Sequence, residues 1–198
     1  MNWFLYENEV RNQGFCSVCG IDEAGRGPLA GPVFAAAVIL PEGCVIDGIN
    51  DSKKLSPKKR DELYDIITEK AVAFNIDTAT EQEIDEINIL QATFLAMKRV
   101  QEGLKIKADY ALIDGNRLPP LSIPSRAIVK GDSLSASIAA ASILAKVSRD
   151  RYMTELDKIY PQYKFAQHKG YPTELHYELI ARHGISPVHR LSFLKKVI

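Results

Sequence analysis

Short apolar segments alternate along this chain with longer amphipathic ones, and residues typical of turns separate them. Five apolar segments predict β-strands, at residues 15–22, 33–40, 71–78, 110–114 and 126–130. The first two flank a segment rich in glycine and proline, which predicts that they pair as antiparallel neighbours. The later strands are separated by stretches long enough for crossover helices.

Helical spacing of apolar residues predicts five helices, at residues 56–70, 81–104, 132–150, 173–183 and 191–198. Ser56 followed by Pro57 is typical of an N-cap and the first helical residue. Residues 135–145 are rich in Ala, Ser and Ile, so that helix can lie close to a sheet. A strand pair followed by alternating helices and strands predicts an α/β fold, with a mixed central sheet flanked by helices.

Composition indicates an ordinary globular protein. The 198 residues are 46% hydrophobic and 25% charged. The longest apolar run, residues 28–40, is shorter than the roughly 20 residues that a membrane span needs. The first residues lack the pattern of a signal peptide, and three cysteines are too few for a disulfide scaffold. These features predict a cytoplasmic protein with reduced thiols.

The balance of charge is uneven along the chain. Lys and Arg number 25, as do Asp and Glu, which excludes a polycation that holds nucleic acid by bulk charge. Residues 1–129 nevertheless contain 14 basic and 19 acidic side chains, whereas residues 130–198 contain 11 and 6. The second part could therefore bind a polyanion on one face.

Four carboxylates stand where an α/β sheet usually places its chemistry. Asp22 and Glu23 end one predicted strand, Asp114 ends another, and Asp132 opens the helix after a third. Converging carboxylates repel one another unless a hard cation neutralises them, and oxygen ligands favour Mg²⁺ or Mn²⁺ over zinc. Alternatively, each is a strand-end residue or a helix cap. Spacing alone leaves both interpretations open.

Cysteine and histidine do not indicate a zinc site or a serine triad. Cys16 and Cys19 lie three apart in a predicted strand, so they point to opposite faces and are expected to be buried free thiols. The four histidines are spread over 22 residues in unlike settings, without a zinc-type pair.

A set of motifs in order gives a more specific indication. They are Gly-Ile-Asp-Glu-Ala-Gly-Arg-Gly-Pro-Leu-Ala-Gly-Pro-Val at 20–33, Asn-Asp-Ser-Lys-Lys-Leu-Ser at 50–56, Leu-Ile-Asp-Gly-Asn at 112–116, Lys-Gly-Asp-Ser at 130–133 with the Ala-rich segment 138–150, His-Lys-Gly-Tyr-Pro-Thr at 168–173, and the ending 184–193. Over roughly residues 17–195 the chain resembles the type 2 ribonucleases H, or ribonuclease HII. Gly25-Arg26-Gly27 distinguishes it from the type 3 enzymes, which usually have Gly-Thr-Gly.

The resemblance implies a ribonuclease H-like fold, with a catalytic domain at residues 1–150 and a small helical C-terminal extension at 151–198 packed on it. It implies cleavage of the RNA strand of RNA–DNA hybrids, and nicking of duplex DNA 5′ of embedded ribonucleotides, leaving 3′-hydroxyl and 5′-phosphate ends. A two-metal site of Mg²⁺ or Mn²⁺ would support this hydrolysis without a covalent intermediate. Its implied ligands and catalytic residues are Asp22, Glu23, Asp114 and Asp132.

Substrate recognition is implied for Gly25, Arg26, Gly27, Tyr171 and Lys53. Glycine lets backbone groups approach a sugar closely, and detecting a 2′-hydroxyl requires such contact. Taken alone, the glycine segment could be a tight turn, the tyrosine a packing residue and the lysine a solvated side chain. The family also implies a monomer without a membrane partner. A non-catalytic nucleic-acid-binding module on the same fold is the alternative, although all four carboxylates are present.

Overall fold

The computed structural model describes residues 3–194, apart from the side chain of Lys54. Five strands occur, at Val18–Ala24 (β1), Val33–Ile39 (β2), Ala73–Ala79 (β3), Tyr110–Asp114 (β4) and Ser125–Ile128 (β5). They form one sheet in the order β3-β2-β1-β4-β5. The strands β1, β2 and β3 are antiparallel neighbours, whereas β4 and β5 run parallel to β1. The predicted mixed sheet and its antiparallel first pair are therefore confirmed.

Seven α-helices occur within the described residues, at Leu5–Arg11 (α1), Pro57–Lys70 (α2), Glu81–Glu102 (α3), Ala136–Ile159 (α4), Phe165–His168 (α5), Glu174–His183 (α6) and Leu191–Leu194 (α7). The predicted helix at 191–198 is thus described only to Leu194, and its last four residues lie outside the described part of the chain. None of the helices in residues 3–194 is both long and apolar enough to pass through a lipid bilayer.

Helix α4 differs from the predicted helix at 132–150. A 3₁₀ turn, Gly131–Ser133, contains Asp132, and α4 begins only after Ser135, whose hydroxyl accepts the N–H of Ile138. The helix then continues to Ile159. It passes residue 150 without a break. The two predicted units, residues 1–150 and 151–198, therefore share one helix, and the boundary between them stays a prediction.

The sheet is covered on both faces. Ala35 and Ala37 of β2 point towards the core beside α3, whereas Ala36 and Val38 face α2 and α4. This alternation follows from the two-residue period of a strand. Both faces of β2 are apolar because both are buried.

Helix α4 lies directly on β1 because β1 contains Gly20. A Cβ atom at Gly20 would lie 2.2 Å from the carbonyl carbon of Ser137 and 2.3 Å from the nitrogen of Ile138. Only glycine has no side chain to obstruct that approach. The close contact holds the start of α4 beside the strand that contains Asp22.

The cysteines and histidines differ in part from expectation. Cys19 is buried as predicted, and burial raises the pKa of its thiol to about 12. Cys16 is exposed, so its prediction as a buried thiol was wrong, because β1 begins only at Val18. Three of the histidines, His168, His176 and His189, share one buried cluster rather than unlike settings.

Candidate active site

Neighbouring strands bring the predicted acidic residues together. Ile21 of β1 is paired with Ile113 of the parallel strand β4, so the next residues, Asp22 and Asp114, are neighbours at one region of the sheet. The strand β5 lies beyond β4 and leads into the turn that contains Asp132. Asp22 lies within β1 rather than at its end, since the strand continues to Ala24.

Three aspartates form a compact group. Asp22, Asp114 and Asp132 each contribute a carboxylate oxygen, and these oxygens lie within 4.8 Å of one another. Backbone amides hold two of the side chains: Gly131 N–H donates to Asp114 Oδ1 at 2.7 Å, and Glu23 N–H donates to Asp22 Oδ1 at 2.7 Å. The donor set is entirely oxygen, which fits a hard divalent cation.

The electrostatics of the group favour a bound cation. Burial, followed by repulsion from Glu23 and Asp114, raises the pKa of Asp22 well above its ordinary value. Burial also raises the pKa of Glu23 and of Asp132, against the opposing attraction of Arg26 and Lys53 respectively. A cation among these oxygens would remove the cost of keeping them ionised.

Glu23, the fourth predicted ligand, lies at the edge of the aspartate group. Its Oε1 pairs with Arg26 Nη1 at 3.4 Å, and it lines a cleft of about 450 Å³. The same cleft includes Asp114 and two exposed residues that the sequence analysis missed, Asn116 and Arg117. Asn116 is the last residue of the motif at 112–116 and Arg117 follows it, so their position close behind Asp114 was the available signal in the sequence.

The predicted sugar-contacting residues are neighbours. A Cβ atom at Gly27 would lie 3.9 Å from Cε1 of Tyr171. The Tyr171 side chain is half exposed, which leaves its ring available to a ligand, and Lys146 Nζ lies 5.9 Å from the ring centroid. Gly25 has a φ of +94°, so its backbone conformation favours glycine.

Lys53 lies near the aspartate group on the 3₁₀ turn Ser52–Lys54. Partial burial lowers the pKa of its ammonium, but attraction to Asp22, Asp132 and other carboxylates outweighs burial and leaves that pKa raised. The Lys53 side chain is exposed, so its ammonium lies beside the acidic group and is still accessible to a phosphate.

Comparisons with known proteins show the family and the fold of this chain. The family model described as Ribonuclease HII matches residues 19–196. The ribonuclease HII of Caldicellulosiruptor bescii is 52% identical over 197 residues, which cover 100% of this chain and 96% of that protein. The structure of ribonuclease H2 from Pyrococcus horikoshii OT3 is similar with a TM-score of 0.77 and 27% identity, over 92% of this chain and 97% of that one. Bst-RNase HIII, crystallised in complex with Mn²⁺, has the same fold at a TM-score of 0.72 and 18% identity, over 98% and 71% of the two chains.

Proposed function

Since the chain belongs to the ribonuclease HII family, we propose that Asp22, Glu23, Asp114 and Asp132 are the catalytic residues of its endoribonuclease site. The protein hydrolyses the RNA strand of RNA–DNA hybrids and nicks duplex DNA on the 5′ side of an embedded ribonucleotide. The products have 3′-hydroxyl and 5′-phosphate ends. The observation that carries the assignment is the convergence of three aspartate oxygens within 4.8 Å.

The site fits two Mg²⁺ or Mn²⁺ ions. Its ligands are carboxylates alone, and burial and mutual repulsion raise the pKa of three of them. When bound, such ions lower the pKa of an attacking water and stabilise charge on the departing 3′-oxygen. The carboxylates of Asp22, Asp114 and Asp132 would hold them, with Glu23 at the edge that faces Arg26.

The residues around the carboxylates would place the substrate. Gly27 is exposed and leaves its backbone groups open to close approach by a ribose, where a 2′-hydroxyl can donate and accept hydrogen bonds, whereas Gly25 is buried and supports the same loop. The ring of Tyr171, beside Gly27, would pack on that sugar. Lys53 and Arg26 would contact phosphate oxygens of the substrate, because both are exposed cations near the acidic group.

Replacing one ligand tests the proposal. We expect Asp132→Asn to reduce nicking of a duplex with one ribonucleotide by about 100-fold or more, since several kcal/mol of charge stabilisation depend on the ligand set. Nicking should be measured in Mg²⁺ and in EDTA, on this duplex, on an all-DNA duplex and on an RNA–DNA hybrid. Asp65→Asn, an exposed aspartate on α2, is the matched control.

A folded Asp132→Asn protein that nicks as fast as the wild type in Mg²⁺ would contradict the assignment, as would undiminished nicking by the wild type in EDTA. End analysis should give a 3′-hydroxyl. We further propose that the protein works in the cytoplasm, in line with its free cysteines, and as a monomer, which is the expectation for the family.

A further inference from the structure

Two arginines outside the carboxylate site are almost completely buried. Arg149 on α4 is 1% exposed, and Arg190, which precedes α7, is 0% exposed. A buried charge costs several kcal/mol unless hydrogen bonds or an opposite charge compensate it. Six hydrogen bonds link these two guanidinium groups to backbone carbonyl oxygens, and five of the six carbonyls belong to the loop that contains the predicted sugar-contacting glycines.

Arg190 joins the two ends of this loop. Its Nη2 donates to the carbonyl oxygen of Gly25 at 2.7 Å and its Nη1 to that of Arg26 at 3.0 Å. Its Nε donates to the carbonyl oxygen of Gly31 at 2.8 Å. A guanidinium is planar and rigid, so three carbonyls bound to one group are fixed relative to one another.

Arg149 connects the same loop to the segment that contains Tyr171. Its Nε donates to Pro32 O at 3.2 Å and its Nη2 to Ala30 O at 3.1 Å, while its Nη1 donates to Lys169 O at 3.0 Å. A Cβ atom at Gly25 would lie 2.0 Å from Arg149 Nε, which shows that Gly25 packs directly against this guanidinium. The Arg149 side chain therefore holds the glycine loop and the Tyr171 segment at a fixed distance from each other.

Fixing a carbonyl also fixes the amide that follows it, because the peptide unit is planar. With the Gly25 carbonyl held by Arg190, the N–H of Arg26 has a set direction, and the held Arg26 carbonyl sets the N–H of Gly27 in the same way. The N–H groups of Arg26 and Gly27 are therefore oriented before any substrate binds.

We propose that Arg149 and Arg190 are positioning residues that hold the Gly-Arg-Gly segment and Tyr171 in the geometry that ribonucleotide recognition requires. The inference rests on the proposed role of that loop. Neither arginine touches the substrate, and each acts through backbone groups. Charge alone is not sufficient for this role, because a lysine ammonium lacks the planar fork that reaches several carbonyls together.

The test compares Arg190→Lys and Arg190→Met with wild type on a duplex containing one ribonucleotide, in Mg²⁺. We expect both variants to lower kcat by about 10- to 100-fold, as small misplacements of reacting groups do, with KM within about threefold of wild type. Arg126→Lys is the control, because Arg126 is exposed and pairs with Glu9 on the surface. Wild-type kcat and KM in Arg190→Lys would overturn the proposal.

A measurement on the wild type can overturn the proposal even if the variants do not fold. Order parameters for the amides of Gly25, Gly27 and Gly31, from ¹⁵N-glycine relaxation of the free protein, should be near the value of about 0.85 typical of rigid backbone. Values below about 0.6 would overturn the proposal. This result is independent of catalysis: a wild type that does not nick the ribonucleotide duplex contradicts the proposed function, whereas mobile glycines contradict only the positioning role.

Discussion

The ionised carboxylate of Asp22 lowers the stability of the folded protein when no cation is bound. The unfolded chain releases the Asp22 proton near its ordinary pKa of 3.8, whereas burial and neighbouring carboxylates raise the pKa in the folded protein. The metal-free fold therefore loses stability as the pH rises above about 3.8 towards the folded-state pKa. Metal binding requires an ionised Asp22, whereas the stability of the metal-free fold favours a neutral one.

We therefore expect Asp22→Asn to unfold at a higher temperature than wild type in EDTA at pH 8, by about 2–4 °C for each kcal/mol of destabilisation removed. The difference should nearly disappear at pH 3.5, where the wild-type carboxyl is neutral in the folded protein and mostly neutral in the unfolded chain. Calorimetry or circular dichroism would measure it. Adding Mg²⁺ should stabilise wild type more than the variant, because a ligand stabilises the state that binds it.

The matched control is Asp65→Asn, an exposed aspartate for which we expect no such gain. An Asp22→Asn protein that melts below wild type at pH 8 in EDTA would show that the carboxylate is compensated in the metal-free fold.

The sequence places the aspartates close to the ends of apolar strands, although Asp22 lies within β1 and Asp132 in a 3₁₀ turn, whereas the role of the buried arginines could not be predicted. Asp114 and Asp132 follow apolar strands, and that pattern indicates a functional edge. Arg149 and Arg190 lie inside the recognised motifs, but a charged side chain is expected at the surface by default. Only the packing of the glycine loop against them reveals that the two guanidinium groups lie beneath it.

At the level of elements, a chain of hydrogen bonds links the C-terminal helices to the segment of Tyr171. Ser186 N–H donates to His189 Nδ1 at 2.9 Å, so the proton of His189 lies on Nε2, which is 3.1 Å from His176 Nε2. His176 Nδ1 is then left to donate to Tyr171 O at 3.0 Å. Each step requires neutral imidazoles.

Protonation opposes this arrangement. Burial is the main cause that lowers the pKa of both His176 and His189 to about 4, against an ordinary value of 6.5. The unfolded chain binds these protons as the pH falls through 6.5, but the folded protein does not until about 4. The stability that these residues contribute is therefore present above pH 6.5 and is lost as the pH falls towards 4.

We expect His189→Gln to be less stable than wild type at pH 7 by about 1–3 kcal/mol, because a buried hydrogen-bond network is broken. Its stability should also fall less steeply between pH 6.5 and 4, by up to about 1.4 kcal/mol per pH unit for the one titrating group removed. Urea unfolding across this range would measure both quantities. The exposed His183, changed to Gln, provides the control, and equal pH slopes for all three proteins would contradict the expectation.

The sequence predicted the strands well but not which histidines meet. Apolar runs mark the strands because both sheet faces are buried. His168 of α5, His176 of α6 and His189 before α7 come together through the packing of separate short elements, which their spacing in the sequence does not specify.

For the whole molecule, the excess of positive charge in residues 130–198 is only partly available to a polyanion. Arg149 and Arg190 are buried, and Lys146, Arg151 and Lys158 pair with carboxylates. The predicted duplex-binding face must therefore use fewer cations than the composition suggests.

Lys169 is a candidate for such a contact, because it lies two residues before Tyr171 and its partly exposed ammonium donates to the neutral hydroxyl of Thr154. We expect Lys169→Gln to weaken binding of ribonucleotide-containing and all-DNA duplexes equally, and to reduce the slope of log affinity against log salt by about one. Fluorescence anisotropy at several salt concentrations would measure this.

Lys158→Gln is the control, since Lys158 pairs with Glu155 at 2.7 Å. A loss of affinity confined to the ribonucleotide duplex, or an unchanged salt slope, would show that Lys169 is not a phosphate contact.

Helix α4 also acts as a spacer of fixed length. Its N-cap, Ser135, follows the turn of Asp132, and Arg149, fourteen positions further on, meets the glycine loop and the segment of Tyr171. At 1.5 Å per residue these points are about 21 Å apart along the helix axis. Inserting or deleting one residue between them would rotate everything beyond it by about 100°. Variation in length during evolution should therefore be confined to the surface loops, while this stretch of helix tolerates only substitution.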